Sequence, residues 1–283
     1  MTKQELQVRK CLGARGDKLM NNNARIQNLF KDFLKDCSMK KQKEEKVFNT
    51  DLTHKNGTSI TDYSKYKYIF VGDNPGKSEK NANKYMVIDT NKLSSAGNNA
   101  HRFFEWLSIE ETVLILNKSS IYTDTTVNLK KYKSNDVLKD NLEYMADLIF
   151  KLHKCLPACE VFITGLTGCY DPEDGWLEQK LNGGYRANQF MHPFWEKIIE
   201  LYSTPENDTL REKIFITKHF AYWKIFDDIV WTKSNNINQV RITTGQRVTM
   251  KSLEITELEK TKLQTNIIES LKSLPYKNKL FGM

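Results

Sequence analysis

The most regular feature of the sequence is a set of four short apolar runs, each followed closely by a glycine or a polar residue. The runs begin at Tyr68, Val113, Val161 and Ile214 and read YIFV, VLIL, VFIT and IFIT. None of them alternates between apolar and polar positions, which is typical of strands that are covered on both faces. The pattern therefore predicts a short central sheet buried between two other layers.

Segments with helical spacing of apolar residues lie between the four runs. Asn98 precedes HRFFEWL, Asn135 precedes a long amphipathic stretch, and Pro193 opens FWEKIIELY. Alternation of strand and helix favours a parallel sheet with helices on both faces. We therefore expect a three-layer α/β fold with a central, mostly parallel four-stranded sheet flanked by helices.

The two ends of the chain carry further apolar periodicity. Residues 24–36 place five apolar side chains on one helical face, with Asn23 as a possible cap, and residues 253–274 form a second amphipathic segment. These patterns predict helical extensions at both ends. The expected organisation is an N-terminal extension over 1–60, an α/β domain over 61–230 and a C-terminal extension over 231–283.

Composition excludes two broad classes. Hydrophobic residues make up 39% of the chain and charged residues 28%, which argues against an intrinsically disordered chain and against a membrane protein. No apolar run approaches the length of about 18 residues that spans a bilayer. The first residues, MTKQELQVRK, are too polar for a signal peptide. We expect a monomer in the cytoplasm, associated with the nucleoid and with no membrane partner.

The net charge of +8 is unevenly distributed. Residues 1–60 carry 13 Lys/Arg and 7 Asp/Glu, and residues 231–283 carry 9 and 4, whereas residues 61–230 carry 21 and 24. A slightly acidic core with basic arms predicts that the arms hold a polyanion such as DNA. The alternative is that both arms are ordinary solvated surfaces.

The loop after the first apolar run, GDNPGKSE over residues 72–79, allows three interpretations. Gly76-Lys77-Ser78 matches the end of a phosphate-binding loop, but Val71 occupies the place of that loop's first glycine. The following EKNANKYM is a poor helix-forming segment, although a phosphate-binding loop requires a helix there. The second interpretation is a turn fixed by Pro75 that presents polar groups to a ligand, and the third is a plain turn.

Gly72-Asp73-Asn74-Pro75-Gly76 resembles the first motif of the uracil-DNA glycosylase superfamily, in which a strand ends in Gly-x-(Asp/Asn/Ala)-Pro. A second point of resemblance is Val113-Leu-Ile-Leu-Asn117, because the family places a base-reading Asn at the end of the next strand. An aromatic residue that stacks on the base lies between these motifs in the family, and Tyr85 is the candidate here. The alternatives are a turn asparagine at 117 and a packed core tyrosine at 85.

The last family motif follows the fourth strand and is typically His-Pro-Ser or Asn-Pro-Ser followed by a bulky intercalating residue. This chain has His219 in that place, but Phe220-Ala221 replaces the Pro-Ser pair. The resemblance implies that His219 contacts the base. Further candidates for contacts with DNA surround it, namely Lys218, Phe220, Tyr222 and Trp223.

The resemblance covers residues 66 to about 230 and implies a DNA glycosylase that hydrolyses the N-glycosidic bond of a flipped-out uracil or other modified pyrimidine. It assigns the catalytic water to Asn74, with His219 stabilising the leaving base. Asp73, beside Asn74, is unusual at this place; it is a candidate general base, and the alternative is that it only repels phosphate. Gly72, Pro75, Gly76, Tyr85 and Asn117 would bind the base, and no cofactor is implied. The alternatives are a catalytically silent DNA- or partner-binding member of the same fold and a nucleotide-binding kinase with a P-loop.

Five cysteines at irregular spacing make a disulfide scaffold an unlikely basis for the fold. His153, Cys155, Cys159 and Cys169 lie within 17 residues, but an apolar strand separates the last cysteine from the others. Buried free thiols are the preferred interpretation over a metal site, so no metal is expected. The long connection over 165–213 is expected to shape the rim of the pocket or the DNA groove.

Overall fold

The structure is a computed structural model. It describes residues 22–36, 62–82, 95–109, 112–166, 170–171, 175–176, 191–217, 230–234, 237–241, 268–269, 271–272 and 276–281.

The four apolar runs form the central sheet, as predicted. The strands are β1 (Tyr68–Gly72), β2 (Val113–Asn117), β3 (Glu160–Thr164) and β6 (Ile214–Thr217). They pair in the order β2-β1-β3-β6, and every pairing is parallel. With the helices around this sheet, the structure confirms a three-layer α/β fold.

Helices surround the sheet, and most of them lie in the connections between its strands. They are α1 (22–36), α2 (Lys77–Ala82), α3 (Ala96–Trp106), α4 (Val137–Cys155), α5 (His192–Tyr202), α6 (Asp208–Arg211) and α7 (Tyr276–Phe281), with 3-10 turns at Thr126–Asn135 and Pro205–Asn207. No helix within these described ranges is long and apolar enough to cross a membrane.

Two helix starts differ from the sequence-based prediction. The α3 helix begins three residues earlier than Asn98 would place it as a cap, because the Ser95 side chain accepts a hydrogen bond from the Asn98 N–H at 3.1 Å. The α2 helix forms where a poor helix was expected. The Glu79 carboxylate accepts the Gly76 N–H at 2.8 Å, and this side-chain contact satisfies a donor that the helix start leaves open.

Aromatic packing identifies the face of the sheet that α3 covers. The Phe70 ring lies 6.2 Å from Phe103 and 4.9 Å from Phe104, both on α3, and stacks on Phe162 of β3 at 4.8 Å. On the opposite face, α4 and α5 pack against each other. The connections from β1 to β2 and from β2 to β3 run in opposite directions across the sheet. When both crossovers are right-handed, their helices lie on opposite faces.

The register of the strands then fixes a row of four residues at the carboxyl edge. Gly72 aligns with Asn117, Thr164 aligns with Thr217, and the alignment of β1 with β3 places Gly72 next to Thr164. Side chains alternate between faces, so this row, two residues beyond the row that contains Phe70, also faces α3. We call Gly72, Asn117, Thr164 and Thr217 the carboxyl-edge row.

Both extensions contribute side chains to the core of the α/β domain. Ile26 and Phe33 of α1 are fully buried, and the Phe33 ring stacks on Tyr144 of α4 at 6.3 Å. At the other end, Leu271 is buried and Lys272 forms an ion pair with Glu160 of β3 at 2.6 Å. The α1 helix and the described residues from 268 onwards are therefore packed on the α/β domain and are not separate arms. Asn23 does not act as the expected cap, because its side chain accepts a hydrogen bond from the Tyr63 N–H at 3.2 Å.

Two short hairpins lie outside the central sheet. One pairs β4 (Tyr170–Asp171) with β5 (Gly175–Trp176) inside the long connection before β6. The other pairs β7 (Val230–Ser234) with β8 (Ile237–Arg241), in a region for which the sequence analysis predicted only a helical extension. Two asparagines separate β7 from β8 along the chain, and Asn-containing two-residue connections favour hairpins.

Candidate functional site at the carboxyl edge of the sheet

The carboxyl edge of the sheet contains a topological switch point. From β1 the chain passes to β2 on one side, and the next strand, β3, pairs on the other side of β1. Loops that leave β1 and β3 therefore diverge, and open α/β sheets bind ligands in the crevice that this creates. Gly165, just after β3, has a φ of 84°, a left-handed conformation that glycine adopts readily.

The loops after β1 and β2 are joined by backbone hydrogen bonds that continue beyond the ends of the strands. The bonds run from the N–H of Lys118, Ser119 and Thr123 to the carbonyls of Gly72, Asp73 and Pro75, at 2.9, 3.0 and 3.2 Å. Asn141 of α4 fixes the second loop further, because its side-chain oxygen accepts the Ser119 hydroxyl at 2.7 Å and the Ser120 N–H at 3.0 Å. The two loops, residues 72–75 and 118–123, therefore form one rigid unit, which we call the ledge.

Asn74 is oriented by this ledge. Its side-chain nitrogen donates to the Thr123 hydroxyl at 2.8 Å and to the carbonyls of Pro75 and Ile121 at 3.2 and 3.3 Å. These bonds occupy the donor end of the amide. Its Oδ1 is buried and has no hydrogen-bond partner within the described ranges. The arrangement holds an acceptor atom in a fixed position beside the switch point, which is what positioning of a water molecule requires.

Asp73 is engaged in a buried ion pair. Its Oδ1 lies 2.5 Å from the ammonium of Lys118, which is fully buried and also donates to the Thr164 carbonyl at 2.6 Å. The same ammonium is 5.2 Å from the ring centroid of Trp195 on α5. Lys118 therefore lies on the α5 face and links the ends of three strands. A carboxylate that neutralises a buried ammonium is a poor proton acceptor, so this geometry gives Asp73 a structural role.

Asn117 lies at the opposite face of the same edge, in the carboxyl-edge row. Only 1% of its surface is exposed, and neither Oδ1 nor Nδ2 has a hydrogen-bond partner among the residues that the structure describes. Leaving a buried polar group without a partner costs roughly 1–3 kcal/mol. Such groups are rare in folded proteins, and they point to a bound molecule that completes their hydrogen bonds.

Two threonines of the carboxyl-edge row differ in their hydrogen bonding. The Thr164 hydroxyl donates to the Val71 carbonyl at 3.0 Å. Thr217 is equally buried, but its Oγ1 has no partner in the described part of the chain. Between Asn117 and Thr164 the row contains Gly72, which has no side chain. The row therefore has an unpaired polar side chain on each outer strand, with Gly72 and the paired Thr164 between them.

Gly76 does not form an anion cradle. Its N–H donates to the Glu79 carboxylate, which occupies the position that a phosphate would take and which would repel one. An added Cβ at Gly76 would meet only Glu79 Oε2, at 3.7 Å, so the backbone there has open space. The Glu79 contact argues against the phosphate-loop interpretation, whereas the α2 helix directly after Gly76 is the element that such a loop requires.

Several predicted site residues lie outside the described residues, so their roles stay predictions. They are Tyr85, Lys218, His219, Phe220, Tyr222 and Trp223. The predicted residues that are described all lie at the carboxyl ends of β1 and β2: Gly72 and Asn117 are the last residues of the two strands, and Asp73, Asn74, Pro75 and Gly76 form the loop after β1.

Sequence reasoning missed Lys118, Thr217 and Trp195. Lys118 was detectable in principle, because a lysine directly after a wholly apolar strand must find a partner or leave the core. The ring of Trp195 reaches the edge only because α5 packs on α4, which no local sequence pattern specifies.

The cluster of cysteines and histidine lies at the amino end of the sheet. His153 interacts with the Tyr202 hydroxyl at 3.0 Å and the Cys159 carbonyl at 3.1 Å, and burial lowers its pKa to about 4. Cys155 and Cys159 are buried free thiols, as expected, and burial raises the pKa of Cys159 to about 12. Cys169 lies outside the described residues. Within the part of the chain that the structure describes, no group of side chains is arranged to hold a metal ion.

A comparison with models of known protein families and a comparison with curated proteins both find no match to this chain.

Proposed function

We propose that this protein is a DNA glycosylase that hydrolyses the N-glycosidic bond of a flipped-out uracil or other modified pyrimidine. The observation that carries the proposal is the Asn117 side chain, which is buried at the carboxyl edge with both amide atoms unpartnered among the described residues. It lies at the position where the resemblance to the uracil-DNA glycosylase superfamily predicts the base-reading residue.

A carboxamide suits this task because it carries one acceptor and one donor group side by side. The imide edge of a uracil-like base offers an N–H beside a carbonyl, the complementary pattern. Enzymes that act on a flipped base read this edge in a dry pocket. Burial of Asn117 excludes the water that would otherwise compete for its hydrogen bonds, so a base would gain their full strength.

The proposed mechanism uses few groups. Asn74, whose amide nitrogen is held by Thr123, accepts a hydrogen bond from the attacking water at Oδ1. The transition state has oxocarbenium character at the sugar, and negative charge builds on the departing base. By the resemblance, His219 stabilises that charge. Because Asp73 is paired with Lys118, we assign no proton transfer to it, and rate enhancement comes from positioning and leaving-group stabilisation.

Modified DNA is the proposed partner, and the basic segments at both ends of the chain are the proposed phosphate contacts. This assignment rests on the charge distribution in the sequence, in which residues 61–230 are slightly acidic and the flanks are basic. A monomer in the cytoplasm, associated with the nucleoid, is consistent with that partner and forms part of the proposal.

The test is a panel of labelled oligonucleotides, single-stranded and duplex, that carry different modified pyrimidines and are scored for abasic sites. We expect excision of at least one base, and a loss of at least about 100-fold in the excision rate for Asn117→Asp, because the new carboxylate repels the base carbonyl. Asn207→Asp is the matched control. Asn207 is also buried, but its amide nitrogen donates to Leu201 O at 2.9 Å and to Thr204 Oγ1 at 2.7 Å, away from the edge. Equal excision by both variants and the wild type would refute the proposal.

One observation favours the second candidate, a catalytically silent DNA- or partner-binding member of the same fold. The Asp73–Lys118 pair removes a carboxylate from the candidate loop that could otherwise act as a base. Binding of a base-containing oligonucleotide without excision of any base in the panel would support this alternative. The kinase alternative is disfavoured because the Glu79 carboxylate accepts the Gly76 N–H and would repel a nucleotide phosphate. It predicts that ATP raises the unfolding temperature of the protein.

A further inference from the structure

We propose, on the basis of the proposed function, that Lys80 binds the DNA phosphate next to the flipped nucleotide. This contact lies in the α/β domain, apart from the basic segments at the two ends of the chain. The inference begins with Tyr122. Asn74 donates hydrogen bonds to the Ile121 carbonyl at 3.3 Å and to the Thr123 hydroxyl at 2.8 Å. The residues on both sides of Tyr122 therefore hold the side chain to which the proposed mechanism assigns the attacking water.

The Tyr122 ring in turn contacts Lys80. The Lys80 ammonium lies 4.5 Å from the centroid of this ring, which is a cation–π contact. Lys80 belongs to α2, and its backbone N–H donates to the Gly76 carbonyl at 2.9 Å. It therefore lies one helical turn beyond the loop that contains Asn74. Two separate connections, through the ring and through α2, hold the ammonium beside the ledge.

The charge of Lys80 is available to a ligand. The residue is exposed, and its ammonium forms no ion pair among the residues that the structure describes. Two carboxylates are close to it in this corner of the edge, and each accepts a hydrogen bond from the protein. Glu79 accepts a backbone N–H at 2.8 Å, and Asp124 accepts the Tyr122 hydroxyl. An exposed lysine without a carboxylate partner can instead neutralise an anion that approaches the ledge.

The phosphodiester backbone is the anion that the proposed reaction brings to this place. A nucleotide that leaves the stack turns about its backbone, so its two phosphates stay on the strand outside the base pocket. They flank the sugar that the water attacks, and the ledge holds that water. A lysine ammonium binds phosphate as a compact point charge, and the contact releases a counterion. Such a contact contributes affinity and register but no choice of base.

Lys65 is a matched control for Lys80. It is also exposed and also lies over a tyrosine ring, 5.4 Å from the centroid of Tyr66, but it precedes β1 and so belongs to the amino end of the sheet. Lys80→Gln should weaken DNA binding about fivefold, whereas Lys65→Gln should not change it. Tyr122→Leu should weaken binding about threefold, because the ammonium loses its cation–π contact, and Tyr122→Phe, which keeps the ring, should not.

The experiment measures binding by fluorescence anisotropy to a single-stranded oligonucleotide with one 2′-fluoro-2′-deoxyuridine, a nucleotide that resists cleavage. The slope of log affinity against log salt should become shallower by about 0.7 in Lys80→Gln and stay constant in Lys65→Gln. A neutral methylphosphonate then replaces one phosphate at a time, beside the modified nucleotide or far from it. We expect the wild type to bind about fivefold more weakly with the methylphosphonate at one adjacent position, and Lys80→Gln to show no further loss there.

Three results would overturn the inference: equal salt slopes in Lys80→Gln and the wild type, full additivity between Lys80→Gln and every adjacent methylphosphonate, or no binding by the wild type. Excision is assayed in parallel on the unfluorinated uracil oligonucleotide. If the wild type shows the Lys80 effects but excises nothing, the phosphate contact stands and the catalytic part of the proposed function fails. If excision occurs and Lys80→Gln binds like the wild type, the function stands and the contact fails.

Discussion

Buried polar side chains meet different surroundings at the two ends of the central sheet. At the amino end, His153 has a partner at each ring nitrogen, and the Cys159 thiol donates to the Tyr66 carbonyl at 3.1 Å. At the carboxyl end, Asn74, Asn117, Trp195 and Thr217 each bury at least one polar atom that has no partner in the described part of the chain. Among the described residues, the polar groups named at the first end are paired, whereas those at the second end keep buried polar atoms without a hydrogen-bond partner.

Unpaired buried atoms reduce stability, so each one in a folded protein requires an explanation, such as a bound water, ion or ligand. Under the proposed function, the base supplies the missing hydrogen bonds. In parallel α/β sheets the usual place for a ligand is the carboxyl edge, because the loops that diverge there leave a crevice. Asp73 and Lys118 are an exception to this contrast. They lie at the carboxyl end, but their charges are paired with each other and the pair faces α5. Variants at each end of the sheet, and one truncation, test whether this contrast holds.

The largest expected effect is on stability, from Lys118→Met. The substitution leaves the Asp73 carboxylate buried opposite an apolar side chain, and removal of one partner of a buried pair costs about 3–5 kcal/mol. Urea unfolding followed by circular dichroism would measure this loss. The double variant Asp73→Leu/Lys118→Met removes both charges and should recover most of the stability. A loss below about 1 kcal/mol in the single variant would mean that the pair does not hold the edge together.

The second prediction concerns the amino end and pH. Burial lowers the pKa of His153 from 6.5 to about 4, so the unfolded chain binds a proton in this range that the folded protein excludes. Stability should therefore fall as pH decreases from 6.5 to 4, with a contribution from His153 of about 3 kcal/mol. His153→Gln, which does not titrate here, is the reference. If both proteins lose stability in parallel over this range, His153 does not titrate as its burial predicts.

The unpaired Oδ1 of Asn74 is the acceptor that the ledge holds in place. Asn74→Ala should lower kcat for excision about 100-fold and leave binding of uncleavable DNA nearly unchanged, because the residue positions water and does not hold the base. Thr123→Val is the companion variant, since it removes the hydroxyl that fixes the Asn74 amide at 2.8 Å. A loss of about tenfold in kcat is expected for this variant. Rates that match the wild type in both variants would exclude the role of Asn74.

The smallest effect is expected from deletion of residues 1–20, which carry five Lys/Arg and two Asp/Glu. This deletion leaves α1 intact, whereas removal of residues 1–60 would take Ile26 and Phe33 out of the core. Binding of DNA should weaken severalfold and its dependence on salt concentration should flatten, because fewer counterions are released. The readout is the slope of log affinity against log salt, and an identical slope would place the phosphate contacts elsewhere.

The agreement between sequence and structure is closest where local patterns suffice. Four apolar runs without alternation identified the strands within one residue at each end, since a strand covered on both faces must be apolar throughout. The α2 helix and the β7–β8 hairpin were not predicted. The first depends on a single cap by Glu79, and the second is a pair of five-residue strands with mixed polarity.

The candidate site was predictable in part. Asn74 and Asn117 could be proposed because the ends of parallel strands converge on one edge whatever the packing around them. The sequence could not tell that Asp73 is neutralised by Lys118 or that the hydroxyl of Thr217 lacks a partner while that of Thr164 has one. These properties depend on the register between strands that are distant in sequence and on which helix covers each face.

Local patterns in the sequence determined the order of strands and helices along the chain, the layered α/β architecture and the candidate loops at the strand ends. They could do so because hydrophobic periodicity and turn chemistry are local. Only the tertiary structure decided which polar groups are paired. Lys118 lies on the α5 face and Asn117 on the α3 face, although the two residues are adjacent in the chain. Successive residues of an extended strand point in opposite directions, and the packing of the helices decides which helix each one meets. The physical reason is that hydrogen-bond satisfaction in a core is a property of neighbours in space.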